Sequence, residues 1–291
     1  MIRDFEYFAP KTVEEALTLL SQYNEESKMI AGGQSLLVLM RQGLVSPKYL
    51  IDIKGISALD FINLDKNEGL RIGALTPHRA IEKSPVIRNG FAVLSEMELK
   101  LASVQTRNWG TIGGNLCHAD PAGDPAPVLI ALNGKLKIAS LSGERTVAVE
   151  DFSTDYFETV LRHGELLTEI QVPNPPPRTG TAYTKFNIIE NDMGIASTAV
   201  SITLNPKNET CNDARIVLGA VSSVPMRAKE AEKVLVGKEI SDALLVKAGQ
   251  IASEETEPIT DVLASEEYKR ELVRVLVKRV GREALDRARR A

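Results

Sequence analysis

Near the start of the chain, the spacing of hydrophobic and polar residues alternates between patterns typical of strands and of helices. A strand signal at Glu6–Phe8 is followed by Thr12, which can cap a helix whose apolar residues recur at helical spacing. Two later apolar runs, Lys28–Ala31 and Tyr49–Ile53, are short enough to be buried strands and enclose the helix-like segment Ser35–Gln42. This order predicts a βαβ unit.

A second block also mixes strand and helix patterns. Thr76-Pro77 is typical of a helix start, with the Thr76 hydroxyl as the cap and Pro77 in the first turn. A second helix pattern covers Phe91–Leu101 and precedes a glycine-rich segment at 110–114. Strand patterns lie at Gly69–Ile72, Lys135–Ala139, Arg145–Val149 and Leu166–Val172. The middle two of these are predicted to pair about the Ser142-Gly143 turn.

The last third of the chain begins after Pro173–Pro177, a stiff segment that neither a helix nor a central strand tolerates. Ala196–Leu204 and Ala214–Ala220 then have strand patterns. The remainder is helical, in the segments Ala228–Val236, Asp242–Ile251 and Glu266–Arg289. A strand pair backed by a small helical bundle fits this order.

These patterns together predict an α+β fold. Residues 1–55 form a first α/β subdomain and residues 56–175 a second. Residues 178–291 form a C-terminal domain of antiparallel sheet plus helical bundle. The main boundary is placed at the proline-rich segment, because linkers of this composition separate domains.

Composition excludes several kinds of function. The 291 residues contain 35 Lys and Arg against 39 Asp and Glu, so no positive field is available to gather nucleic acid. The N-terminus is charged where a signal peptide would be apolar, and no run reaches the ~18 apolar residues of a membrane helix. We therefore expect a cytoplasmic protein with no transmembrane segment. Cys117 and Cys211 form no CxxC pair, so neither an iron–sulfur cluster nor a disulfide is expected in this chain.

The segment Ala31–Ser35 (AGGQS) is a candidate anion site. It lies between a predicted strand and a predicted helix, where backbone N–H groups are free to bind an anion. Glycines let that backbone approach phosphate oxygens closely, and the Ser35 hydroxyl adds a donor. A tight β–α turn without any ligand is the alternative that these residues alone leave open.

A second dense segment, Asn108–Asp124 (NWGTIGGNLCHADPAGD), contains the motif Thr111–Asn115 (TIGGN). Gly113-Gly114 can adopt positive φ and stands between the polar side chains of Thr111 and Asn115. Neither glycine motif is GxGxxG or a P-loop, which disfavours the two standard nucleotide-binding folds. Two glycine-rich turns on successive subdomains suggest instead a pyrophosphate held from both sides.

Other residues of this segment have competing interpretations. His118 and Asp120 could bind a metal, but with His78 and His163 as the other histidines, hydrogen bonds that order the loop are favoured. Asp124 either accepts a hydrogen bond from a cofactor hydroxyl or caps a turn. Cys117 is interpreted as a small packed residue rather than a nucleophile, since no histidine is evident as its base.

Together, AGGQSLL and TIGGNLCHADPAGDPAPVL resemble the FAD-binding medium subunit of the molybdenum hydroxylases, the family of xanthine dehydrogenase and aerobic carbon monoxide dehydrogenase. The similarity extends to FEYFAPKTVEEAL at the start, ELLTEIQVP in the middle and EYKRELVRVLVKR near the end. The resemblance implies two N-terminal FAD-binding subdomains of the PCMH type and the C-terminal domain of the medium subunit.

The resemblance also implies a site and partners. The residues implied to bind FAD are Ile30, Ala31, Gly32, Gly33, Gln34, Ser35, Leu36, Leu101, Thr111, Ile112, Gly113, Gly114, Asn115, Asp124, Leu167 and Lys185, the last near the isoalloxazine. No catalytic or metal-binding residue is expected in this chain. Molybdopterin and [2Fe-2S] clusters are implied on a large subunit and a small iron–sulfur subunit, in a dimer of heterotrimers. The chain would pass electrons from the iron–sulfur subunit to an external acceptor.

Some positions depart from the family pattern. Gln34 stands where relatives often have His or Thr, Ile188 and Ile189 where many have arginines, and Met193 where an aromatic residue often covers the flavin. These changes leave the acceptor open, and the substrate could be carbon monoxide, an aldehyde, a purine or another N-heterocycle. The alternatives to this family are a stand-alone FAD enzyme of the UDP-N-acetylenolpyruvoylglucosamine reductase type and a binding module that has lost its cofactor.

Overall fold

The first sheet is parallel, as the βαβ pattern predicts. Its elements are β1 (Glu6–Phe8), α1 (Val13–Tyr23), β2 (Ser27–Ile30), α2 (Leu36–Gln42) and β3 (Tyr49–Asp52). In this computed structural model, which describes residues 3–291, β3 lies between β1 and β2. Met1 and Ile2 of the predicted first subdomain lie outside the described residues.

Helix α1 begins where the sequence predicts. The Thr12 hydroxyl accepts a hydrogen bond from the backbone N–H of Glu15, which satisfies one of the free donors of the first turn. Ala16 and Leu17 are buried with Ile51 of β3 in one apolar cluster. The apolar face of α1 therefore covers one side of the parallel sheet.

The second sheet is antiparallel. Its strands are β4 (Ile62–Asp65), β5 (Gly69–Gly73), β6 (Lys135–Ser140), β7 (Gly143–Ala148) and β10 (Leu166–Val172), while β8 (Ser153–Asp155) pairs separately with β9 (Glu158–Thr159). The order across the large sheet is β4-β5-β10-β6-β7. Ser140 pairs with Gly143, so the predicted hairpin about Ser142-Gly143 is confirmed.

A helical segment connects β5 to β6. It contains α3 (His78–Lys83), α4 (Pro85–Gly90), α5 (Ala92–Lys100), α6 (Val104–Trp109), α7 (Ile112–His118) and α8 (Pro125–Ala131). The predicted helix cap at Thr76 is wrong, because Pro77 is the residue before α3 and supplies no side-chain cap. The Thr76 hydroxyl instead donates to the carbonyl of Phe61 at 3.0 Å, which ties the segment to β4. The 3-10 turns of the chain lie at Asn24–Glu26, Ile53–Gly55, Ser57–Leu59 and Val149–Asp151.

The third sheet is also antiparallel and is larger than the predicted strand pair. It consists of β11 (Thr179–Phe186), β12 (Ala196–Leu204), β13 (Cys211–Gly219) and β14 (Met226–Arg227), in that order. The helices that follow are α9 (Lys229–Leu235), α10 (Asp242–Glu254) and α11 (Glu266–Arg290). Strand β11 was missed because its Thr and Gly residues weaken the apolar pattern. Gly180 is needed there, since a Cβ at that position would lie 2.2 Å from the carbonyl oxygen of Ala284 in α11.

The third sheet packs directly on α8. Tyr183 of β11 and Val217 of β13 belong to the same buried cluster as Val128 and Leu129 of α8. This packing brings the end of β11 beside Asp124, the residue that precedes α8. Residues far apart in sequence are thereby placed at one cleft.

Candidate functional site

The first glycine motif packs against the residues that immediately precede the second. A Cβ added at Gly32 would lie 2.1 Å from the carbonyl oxygen of Trp109 and 2.7 Å from the Cα of Gly110. Only a residue without a side chain lets the loop after β2 approach the chain before α7 so closely. The first motif therefore lies against Trp109 and Gly110, just before the second motif begins.

The first motif is an open loop. Gly33 has φ +70°, a conformation that glycine adopts without strain. Within residues 3–291, the backbone N–H groups from Gly32 to Ser35 have no hydrogen-bond acceptor. The Ser35 hydroxyl makes no cap bond to α2. Since α2 has only seven residues, the free amides of the loop, and not a long helix dipole, are the feature available to a ligand.

The second motif is the start of helix α7, so its prediction as a turn is wrong. The Thr111 hydroxyl accepts a hydrogen bond from the N–H of Gly114 at 3.1 Å. The neighbouring amides are also occupied: those of Ile112, Gly113 and Asn115 donate to the carbonyls of Thr76, Ala74 and Thr111. Gly113 and Gly114 are absent from the positive-φ glycines of residues 3–291, contrary to the expectation from sequence.

The glycines of the second motif serve close packing. A Cβ at Gly113 would lie 2.6 Å from the carbonyl oxygen of Ala74, so α7 rests directly on the backbone that leaves β5. A Cβ at Gly114 would lie 2.8 Å from the Thr111 hydroxyl oxygen. Gly114 is exposed and borders the cleft described next.

A cavity of about 890 Å³ lies between the two motifs. Most of the site residues predicted from the sequence line this cavity. They are Ile30, Ala31, Gly32, Gly33, Gln34, Ser35, Leu36, Leu101, Thr111, Gly113, Gly114, Asn115, Asp124, Leu167 and Lys185. Ile112 is the exception among the predicted site residues, because its side chain is fully buried in a hydrophobic core. The size is in the upper part of the range for ligand pockets, roughly 300–1,000 Å³.

Asp124 has protein partners inside the cleft. Its two carboxylate oxygens accept hydrogen bonds from the Tyr183 hydroxyl and from Lys185 Nζ, the latter at 2.8 Å. Asp124 is the residue before α8 but makes no cap bond. Burial raises the pKa of Asp124, while the Lys185 ammonium acts in the opposite direction. Burial also raises the pKa of Tyr183 well above its ordinary value, so Tyr183 stays a donor at neutral pH.

His78 also lines the cleft, although it was not among the site residues expected from the sequence. Its ring Nδ1 lies 3.0 Å from Oε1 of Glu98, and both side chains are buried. Burial raises the pKa of Glu98. The sequence contains no signal for this pair, because α3 and α5 meet only through tertiary packing.

The residues between α7 and α8 order their own loop. Asp120 Oδ1 accepts a hydrogen bond from the N–H of Ala122 at 2.9 Å. The His118 ring packs on Phe157 with centroids 5.2 Å apart. Burial raises the pKa of Cys117 to about 12, so its thiol is protonated at neutral pH and is a poor nucleophile. No group of three or more His, Cys, Asp or Glu residues within 3–291 could hold a metal ion.

The loop after β11 stands at the mouth of the cleft. Met193 and Asn191 line the cavity. Ile188 and Ile189 project into solvent and are 72% and 64% exposed. Across residues 3–291, no helix is at once long enough and apolar enough to cross a membrane.

Family models match the chain over most of its length. Residues 3–175 match the model described as FAD binding domain in molybdopterin dehydrogenase. The chain belongs to this family. Residues 181–284 of this chain match the model described as CO dehydrogenase flavoprotein C-terminal domain. The reductase-type alternative is not favoured, because the C-terminal residues match a flavoprotein domain of the CO dehydrogenases.

Similar proteins cover the chain almost end to end. One is the 6-hydroxypseudooxynicotine dehydrogenase complex subunit alpha of Paenarthrobacter nicotinovorans, 34% identical over 98% of this chain and 96% of that protein. Another is the carbon monoxide dehydrogenase medium chain of Afipia carboxidovorans, 33% identical over 98% of each chain. A solved structure of carbon monoxide dehydrogenase from Hydrogenophaga pseudoflava has a TM-score of 0.95 and 33% identity and covers 99% of both chains. This flavoprotein is therefore an oxidoreductase subunit of a multi-subunit enzyme, with FAD as its cofactor.

Proposed function

We propose that this chain takes electrons from an iron–sulfur subunit of a molybdenum hydroxylase and passes them, through FAD held in the cleft, to an external acceptor. The observation that carries the proposal is the open loop of the first glycine motif against the start of α7, at the edge of a cavity of about 890 Å³. Membership of the FAD-binding family supports the choice of cofactor.

The chain's own residues suit the parts of FAD. The free amides from Gly32 to Ser35 would hold the pyrophosphate, because several aligned N–H groups form a favourable anion site. Gly114 would let the cofactor approach the backbone of α7. Leu101 and Leu167 would contact its apolar parts, and Asp124 and Lys185 its polar groups. The contribution of Ile112 would be indirect, through the packing of α7.

FAD supplies the redox chemistry when it is bound, and the protein supplies position and electrostatics. Lys185 would present a fixed positive charge, since its side chain is only 3% exposed and is held by Asp124. Cys117 lines the cleft as a protonated thiol and is not proposed to react. The apolar lining of the cleft would exclude water from the cofactor.

We also propose the divisions and assembly that the sequence predicts. The subdomains 1–55 and 56–175 and the C-terminal domain 178–291 would each contain one of the principal sheets. The complex would be a dimer of heterotrimers in the cytoplasm. The substrate would be chosen by the molybdopterin-binding subunit, since relatives of similar identity are named for carbon monoxide and for a nicotine derivative.

Cofactor release tests the proposal directly. The chain is expressed with its neighbouring subunits, the complex is purified, and the cofactor released by acid is identified by chromatography. We expect one FAD per copy of this chain and flavin absorbance near ~450 nm. The Gly90→Ala complex should retain FAD, because Gly90 has open space around its Cα and lies outside the cleft. A colourless complex that does not take up added FAD would contradict the proposal.

A further inference from the structure

We propose that His78 is a cofactor-binding residue, which Glu98 orients so that its free ring nitrogen donates a hydrogen bond to FAD. This inference rests on the proposed function, because it names a further residue of the same site. His78 lines the cleft and belongs to neither glycine motif.

The position of His78 is held from two directions. Its backbone N–H donates to the carbonyl of Gly110 at 3.0 Å, which joins the start of α3 to the residue before the second motif. Its ring Nδ1 lies 3.0 Å from Oε1 of Glu98 on α5. His78 is 2% exposed and Glu98 is fully buried, so neither side chain has room to change its rotamer freely.

The ring nitrogen that remains is Nε2. Glu98 occupies Nδ1, and within residues 3–291 Nε2 has no hydrogen-bond partner. A Cβ at Gly110 would lie 3.2 Å from His78 Cδ2, the carbon next to Nε2, and 3.4 Å from Gln34 Cγ. The Nε2 edge of the ring therefore lies close to the junction of the two motifs.

Burial favours a donor at Nε2. The second oxygen of Glu98, Oε2, is buried and has no hydrogen-bond partner among the described residues. A lone carboxylate there would be poorly solvated, so the pair is more stable with no net charge. The neutral pair is either carboxylate with imidazolium, or carboxylic acid whose Oε1–H donates to Nδ1 of imidazole, because a proton on Oε2 would have no acceptor. Nε2 carries a proton in both arrangements.

The surrounding charges do not change the preference of the His78–Glu98 pair for zero net charge. Arg107 on α6 acts on Glu98 with a positive charge and Asp124 before α8 with a negative one, so their effects oppose each other. Arg107 is itself paired with Glu82 at 2.9 Å, and within residues 3–291 it makes no hydrogen bond to Glu98. FAD offers acceptors in its phosphates, its ribityl chain and its ring carbonyls, any of which can take the His78 proton.

The test measures FAD affinity in the purified complex after removal and readdition of the cofactor. We expect His78→Ala to raise the dissociation constant of FAD by about 10-fold or more, the usual range for a lost buried hydrogen bond to a charged or polar group. His78→Gln keeps an N–H donor and should recover most of that loss. His163→Ala is the matched control, since His163 is exposed and lies outside the cleft.

A second variant distinguishes the loss of the His78–FAD hydrogen bond from a folding defect. His78→Leu combined with Glu98→Met leaves no buried charge and no unpaired buried polar group, so its cofactor-free form should melt close to the parent while binding FAD as weakly as His78→Ala. Parental affinity in the double variant, or equal affinity for His78→Ala and His163→Ala, would overturn the inference. Failure of the unaltered complex to bind FAD would instead overturn the proposed function.

Discussion

The two glycine motifs are similar in sequence and different in structure. In Ala31–Ser35 the backbone is open, with unused N–H groups and a glycine at φ +70°. In Thr111–Asn115 the N–H groups from Ile112 to Asn115 are already bonded within the protein. The first motif has free backbone donors for a ligand, whereas the second mainly positions the wall against which the proposed FAD would lie.

The difference shows that a pair of glycines can serve different structural roles. Gly33 is required for its positive φ, while Gly32 and Gly113 are required because backbone atoms of other segments occupy the place of a side chain. Variants of the two motifs should therefore separate loss of the cofactor from loss of the fold.

The largest effect is expected at Gly32. The added methyl of Gly32→Ala would meet the carbonyl oxygen of Trp109 at 2.1 Å, so the loop must move away from the second motif. We expect FAD affinity to fall by about 100-fold, which corresponds to roughly 2.7 kcal/mol. Titration of the cofactor-free complex with FAD measures this. Unchanged affinity would show that contact between the motifs is not needed for binding.

Gly113→Ala should act mainly on stability. Its methyl would lie 2.6 Å from the carbonyl oxygen of Ala74, and overpacking of this kind costs about 1–3 kcal/mol. Denaturant unfolding of the cofactor-free protein provides the measurement, with Gly90→Ala as the control, where nothing lies within 4 Å. If the variant kept its stability and lost FAD, the second motif would be a ligand-binding loop like the first.

Ser35→Ala should weaken FAD binding without changing stability, the reverse of Gly113→Ala. The Ser35 hydroxyl caps no helix N–H, so its loss should leave the free energy of unfolding unchanged. If it binds the pyrophosphate, FAD affinity should fall by about 10-fold, as expected for one hydrogen bond to a charged group. Ser35→Thr keeps the hydroxyl and serves as the control. A stability loss without an affinity loss would contradict the assignment.

The smallest effect is expected for Thr111→Ala. Removal of the hydroxyl that accepts from Gly114 should cost about 1 kcal/mol of stability, a typical value for a lost cap. Thr12→Ala removes an equivalent cap from α1 and should cost a similar amount without changing FAD binding. An affinity loss at Thr111 as large as that at Ser35 would remove the distinction between the motifs.

Periodic elements were predicted well and close packing was not. Helices α10 and α11 and strands β5, β10 and β12 begin and end within a few residues of their predicted bounds, because each has a regular apolar pattern. Strand β11 was missed because Gly180 leaves room for α11, and because Thr179 and Thr181 bond to Thr203 and Ser201 of β12. The cap at Thr76 failed for a similar reason, since its hydroxyl bonds to Phe61.

The predicted site was largely brought together, and its internal arrangement was not foreseen. The structure gathers the predicted residues other than Ile112 around one cavity. The bonds of Asp124 to Tyr183 and Lys185, and the pair of His78 and Glu98, join residues 20 to 61 positions apart. Local sequence patterns carry no information about contacts at such separations.

By itself the sequence determined the family, the order of most elements and the two motifs that border the cleft. It could do so because apolar periodicity and unusual glycine density are local properties of the chain. Only the tertiary structure decided which motif keeps its amides free, since the acceptors that occupy the second motif come from Ala74, Thr76 and Thr111. Two of those three lie about 40 residues away along the chain and meet α7 only after folding.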